Sequence, residues 1–115
     1  MKTYSYLIYQ INDIGNTSYA FRSWDEAKGL IKMSEYNCVF NSEIKVEDER
    51  TKTDVLLMLY EKFNINHPKN YKGHSLSVSD IVVLIDEKTT YWYYCDSFGW
   101  VDIKEYLKET GRNHL

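Results

Sequence analysis

At 115 residues the chain is the size of one domain, and 43% hydrophobic with 27% charged residues is the balance of a folded globular protein. A chain this long buries roughly two-thirds of the surface it would expose unfolded, so it can fold without disulfides or metal as staples. The net charge of −3 and a pI near 5.6 argue against the clustered basic face of a direct nucleic-acid binder, and are too mild for an acidic nucleic-acid mimic.

The unusual feature is the aromatic content, 16%, with 11 tyrosines. Tyr has a broad apolar face and a polar tip, which suits half-buried sheet faces and binding surfaces alike. The opening residues run straight into a strand-like pattern, not a signal-peptide core. No apolar run approaches the roughly 20 residues that cross a bilayer. A cytoplasmic home without membrane contact is the expectation, with Cys38 and Cys95 reduced.

In chain order, residues 4–11 are aromatic and branched and predict an opening strand. Residues 12–16 are a turn cluster, after which 18–21 are expected to pair back as a short second strand. Ser23, with Glu26 three residues on, has the form of a capping box, and Gly29 ends the short helix it begins. Residues 36–40 predict another strand, and the charged stretch 43–52 a solvated loop. Thr53 and Asp54 open a second helix in which Val55, Leu56, Leu59, Tyr60 and Phe63 form one apolar face. Residues 64–68 stop it, because Pro68 biases His67 away from helical geometry.

A polar loop through residues 71–80 leads into 81–85, a continuous apolar run that predicts a central strand covered on both faces. Residues 86–89 form a hairpin turn into 90–96, a strand with aromatics on both faces. Residues 97–100 turn the chain again, 103–108 form a short terminal helix, and 111–115 are expected to fray. The sum is an α+β fold, a small, mostly antiparallel sheet with two or three packed helices, in a single domain spanning residues 1–115.

The densest polar chemistry lies at residues 64–80, with Cys95, Asp96 and Ser97 downstream. One reading is a Zn2+ site from His67, His74 and Cys95, with Asp96 or Asp80 as fourth ligand, since zinc takes imidazole and thiolate in tetrahedral sets. No CxxC or HExxH spacing supports it, and the alternative is histidines bonded to backbone with Cys95 a small buried hydrophobe. A second reading is hydrolysis. His67 and His74 would be an acid–base pair with Lys72 on a phosphate, or Cys95, His74 and Asp80 a nucleophilic triad. No nucleophile elbow or phosphate-cradling glycine loop accompanies either arrangement. The third is a protein-binding surface: Trp92 and Tyr94 alternate with Tyr91 and Tyr93, and Trp100 and Phe98 are close by on a turn. Helices over both sheet faces would instead bury them all.

Residues 63–84, with the block His67-Pro68 followed by Gly73-His74-Ser75-Leu76-Ser77-Val78-Ser79-Asp80, and then Tyr93-Tyr94-Cys95-Asp96-Ser97-Phe98-Gly99-Trp100, resemble the YodL-like domain. The opening strand and the pattern from Phe21 to Asp25 are similar to it too; the charged stretch before the second helix departs from it. The resemblance implies an accessory module of phages and conjugative elements of Gram-positive bacteria, often found beside antirestriction proteins. It further implies stoichiometric inhibition of a host defence protein, in its sharpest form a CRISPR–Cas nuclease (an anti-CRISPR role), and not catalysis. The alternatives are a small nuclease or hydrolase using His67 and His74, and a regulatory binding module of the conjugation machinery. The residues singled out are His67, Gly73, His74, Ser75, Ser77, Asp80, Cys95 and Asp96 as an ordered scaffold, with Trp92, Tyr94 and Trp100 as partner-binding candidates.

Overall fold

A computed structural model describes residues 1–110. Five strands form one sheet: β1 (Lys2–Ile11), β2 (Tyr36–Val46), β3 (Ile81–Asp86), β4 (Thr89–Asp96) and β5 (Gly99–Asp102), in the spatial order β2-β1-β3-β4-β5. Every neighbouring pair is antiparallel. Three helices, α1 (Trp24–Ala27), α2 (Lys52–Ile65) and α3 (Lys104–Thr110), complete the α+β architecture expected from the sequence. None of the helices in the described residues is long and apolar enough to cross a membrane.

The sheet is covered on both sides, and the two-residue period of a strand sorts its residues between two cores. On one side Tyr4, Tyr6 and Ile8 of β1 and Val82 and Leu84 of β3 meet Val55, Leu56, Leu59 and Phe63 of α2. On the other, Ile81, Val83 and Tyr94 meet Ala27 of α1, Ile103 just before α3 and Leu107 within it, and the connecting segment at Tyr19, Ile31 and Met33. Ile81 to Leu84 are therefore all buried, which is why β3 reads as an unbroken apolar run. Helix α2 starts on a full capping box: the Asp54 N–H donates to Thr51 Oγ1 at 3.1 Å, and the Thr51 N–H donates to Asp54 Oδ2 at 3.0 Å.

Four expectations need correction. Residues 43–46 are not loop but the second half of β2. Ile44 and Val46 turn toward the α2 core while Glu43 and Lys45 occupy the open face, so the charges are the outward half of an alternation. Residues 18–21 make turns instead of a strand, with Ala20 N–H on the Thr17 carbonyl and Arg22 N–H on the Tyr19 carbonyl, and Phe21 in the left-handed region at φ 62°. Residues 99 and 100, expected as part of a turn, begin strand β5, which Gly99 enters at φ 99°. Ser23 does precede α1, but its hydroxyl meets Glu26 Oε1 at 3.4 Å and caps no backbone N–H. The stretch 111–115, expected to fray, lies outside the described residues.

Candidate functional site

The loop joining α2 to β3 is organised by a side chain from another element. Gln10 continues the core-facing set Tyr4, Tyr6, Ile8 of β1, yet it is polar and only 3% exposed. A buried amide must find partners, and the loop supplies them. Its Oε1 accepts the His74 backbone N–H at 3.1 Å. That contact fixes the amide orientation and directs Nε2 to Asp80 Oδ2 at 3.0 Å, the His74 carbonyl at 2.9 Å and Tyr71 OH at 3.0 Å. Tyr71 OH donates in turn to the His74 carbonyl at 2.5 Å. Gly73 sits against this cluster: a Cβ there would lie 2.5 Å from Gln10 Oε1 and 2.7 Å from Tyr71 OH. The glycine is required by space.

Asp80 closes the loop onto the sheet. Its Oδ2 also accepts the Ser77 N–H at 2.8 Å, while its own N–H donates to the Ser77 carbonyl at 3.0 Å, a tight turn locked from both ends. Its carbonyl accepts the Cys95 N–H at 2.8 Å, and the Cys95 carbonyl accepts the Ser79 N–H at 2.9 Å, tying the loop to β4. Ser79 holds a left-handed backbone at φ 80°, and two contacts hold it there: Phe21 N–H donates to its Oγ at 2.9 Å and Tyr36 OH donates to its carbonyl at 2.6 Å. Burial pushes the Asp80 carboxyl up to about 7, against the opposing pull of the Ser77 N–H and Gln10. The nearest cation is conditional: His74 Nε2 lies 3.9 Å from Asp80 Oδ1.

The structure does not assemble the expected zinc ligands. Among the described residues no group of three or more His, Cys, Asp or Glu side chains is placed to hold a metal ion. His67 is exposed, with Nδ1 3.2 Å from the Pro68 carbonyl and its ring on Tyr71. His74 Nδ1 lies 2.6 Å from the Ser75 carbonyl and 3.2 Å from Gln10 Nε2, and its ring rests against Phe21. Asp96 Oδ1 accepts the N–H groups of Trp24 and Ser97, anchoring the start of α1 to the end of β4. Cys95 is buried, and that burial, followed by the charges of Asp80 and Asp96, pushes its thiol up to about 12. A thiol held protonated is the opposite of an activated nucleophile. The two imidazoles face separate partners, His67 the Pro68 carbonyl and Tyr71, His74 the Ser75 carbonyl and Phe21.

The partner-binding candidates divide. Tyr94 is fully buried, its hydroxyl donating to the Arg22 carbonyl at 2.6 Å, so its ring has no surface to offer. Trp92 is half-buried in the second core and stacks on Tyr9. Trp100 is different. It lines a surface pocket of about 190 Å3 with Leu57, Tyr60 and the backbone turn at Asp96 and Ser97, and its ring meets Tyr60 edge to face. Tyr60, expected in the core, is 39% exposed, Leu57 55%, and Phe98 at the tip of the β4–β5 turn 98%. Sequence reasoning missed Leu57 as a surface residue and Gln10 as the hub of the loop, whereas Phe98 stands on the turn where the sequence placed it. The signal for Gln10 was present, a polar residue where the β1 alternation calls for an apolar one.

An antiparallel sheet with a self-bonded polar loop and an aromatic hairpin defines a small α+β module. The family model described as the YodL-like domain matches residues 5–106, and the chain belongs to that family. No curated protein and no solved structure matches the chain.

Proposed function

We propose that the protein is a mobile-element accessory protein that binds and inhibits a host defence protein in the bacterial cytoplasm, most sharply a CRISPR–Cas nuclease, by stoichiometric contact. The observation that carries a binding role is the exposure of Phe98 on a tight turn beside the pocket of Leu57, Tyr60 and Trp100. A fully exposed phenyl ring gains nothing for the fold, and aromatic anchors next to a pocket are the residue types and the geometry of interface hot spots. The defence context comes from the setting of YodL-like domains. The polar loop supports the same reading, because its donors and acceptors are engaged in holding the backbone and Asp80 in place.

The test is a titration of purified protein into a Cas nuclease cleavage reaction and, in parallel, a pull-down with candidate defence nucleases and conjugation relaxases. Inhibition that saturates at a fixed ratio and is lost in Phe98→Ala supports the proposal. Destruction of nucleic acid by catalytic amounts of the protein, abolished by His74→Ala in a folded variant, would replace it with a hydrolase. Capture of a relaxase alone would replace it with a conjugation regulator.

A further inference from the structure

The sheet ends on two edges, β2 and β5, and they differ in length: eleven residues against four. An open edge presents a row of backbone N–H and C=O groups that template another strand, and proteins commonly blunt it with a bulge or with charge. The β2 edge has a bulge at Val39, where the pairing steps from Ile8 opposite Phe40 to Tyr9 opposite Cys38. Beyond it, residues 40–46 run in unbroken register along β1. Among the described residues, none of these seven makes a backbone–backbone hydrogen bond outside that pairing, and the Phe40 carbonyl accepts the Cys38 thiol at 3.4 Å.

From this edge we infer that residues 40–46 of β2 pair with the same segment of a second copy of the chain, antiparallel about a twofold axis at Ile44. A twofold perpendicular to the sheet keeps each residue on its own face, so the axis must pass through a residue of the strand. Centred on Ile44, Glu43 of each copy stands opposite Lys45 of the other, and symmetry makes the ion pair twice. Centred on Glu43, two carboxylates would face each other, which is destabilising. Centred on Ser42, Glu43 meets Asn41 and Lys45 falls against the bulge, with neither charge answered.

Among the described residues these two charges have no ion-pair partner within one chain. Their cross-strand neighbours on β1 are Ser5 and Thr3, and both side chains are exposed. The opposite face joins as well, since Ile44 packs at the margin of the α2-side core and would meet its symmetry mate across the axis. The edge charges that would repel most strands thus select one partner in one register. The exposed β4–β5 turn is at the other end of the strand order, so pairing through β2 leaves that surface open.

Sedimentation equilibrium of the full chain tests this. A reversible dimer is expected for the wild type. Glu43→Lys and Lys45→Glu should each weaken it by about tenfold or more, because each exchanges two attractions for two repulsions. The double variant should recover association to within about threefold of wild type, since the pairs re-form with signs exchanged. Both positions are exposed, so the fold tolerates the changes. A wild type that stays monomeric at the highest attainable concentration overturns the inference. So does a dimer indifferent to the reversals, or one that the double variant fails to restore.

Discussion

The loop between α2 and β3 and the turn between β4 and β5 are opposites in composition and in employment. The loop is crowded with His, Ser, Asn and Asp, and its polar groups close on one another through Gln10, Asp80 and Tyr71. The turn offers a single phenyl ring, Phe98, at 98% exposure, next to a pocket where Leu57, Tyr60 and Trp100 meet Asp96 and Ser97. Residue types that advertise chemistry in a sequence are first of all hydrogen-bonding groups, and a segment leaving regular structure needs those bonds to pair its own backbone. What remains available for a partner is decided by which groups are left over, and at the turn those are mainly the apolar side chains of Phe98, Leu57, Tyr60 and Trp100.

The contrast can be broken from the loop side with the largest effect. Gly73→Ala drives a Cβ into Gln10 Oε1 and Tyr71, so a loss of about 3 kcal/mol in urea unfolding is expected. Gln10→Ala removes one of the two donors on the buried Asp80 Oδ2 and strands the His74 N–H, for a loss of about 2 to 3 kcal/mol by the same measurement.

Asp80→Asn sharpens the comparison through pH. The folded carboxyl sits at about 7, above its ordinary 3.8, so the folded state favours the protonated form. Its contribution is complete below about pH 4 and is lost as pH rises through about 7. Wild-type stability should therefore fall between those values from this group, and Asp80→Asn, which still accepts from Ser77 and Gln10, should remove that part of the slope. Urea midpoints for the two proteins at about pH 5 and about pH 8 check it. The smallest effect belongs to the turn: Phe98→Ala should change stability by no more than about 0.5 kcal/mol, while abolishing partner capture.

Much of the fold was legible because its signals are local. The Ile81 to Leu84 run and the α2 stripe at Val55, Leu56, Leu59 and Phe63 each reflect burial on a known periodicity. β2 was cut short because Glu43 and Lys45 were read as loop charge, and only the register with β1 shows them to be one face of a strand. The site was harder. Sequence marks His67, His74, Cys95 and Asp96 as metal-type ligands, but their company depends on how β1 and β4 flank the loop, a long-range fact. The cluster forms around Gln10, whose partners lie 61 to 70 residues away. Phe98 is set apart from the aromatics of β4 by its place in the 97–100 turn, a local signal that the sequence carries.

The sharpest single test is native-state amide hydrogen exchange at His74, Ser77 and Ser79, whose N–H groups end on Gln10 Oε1, Asp80 Oδ2 and the Cys95 carbonyl. A stretch built as internal framework should protect these amides nearly as well as those in the middle of β3. Exchange at the rate of an open surface loop would contradict the account and return that stretch to the list of moving, functional parts.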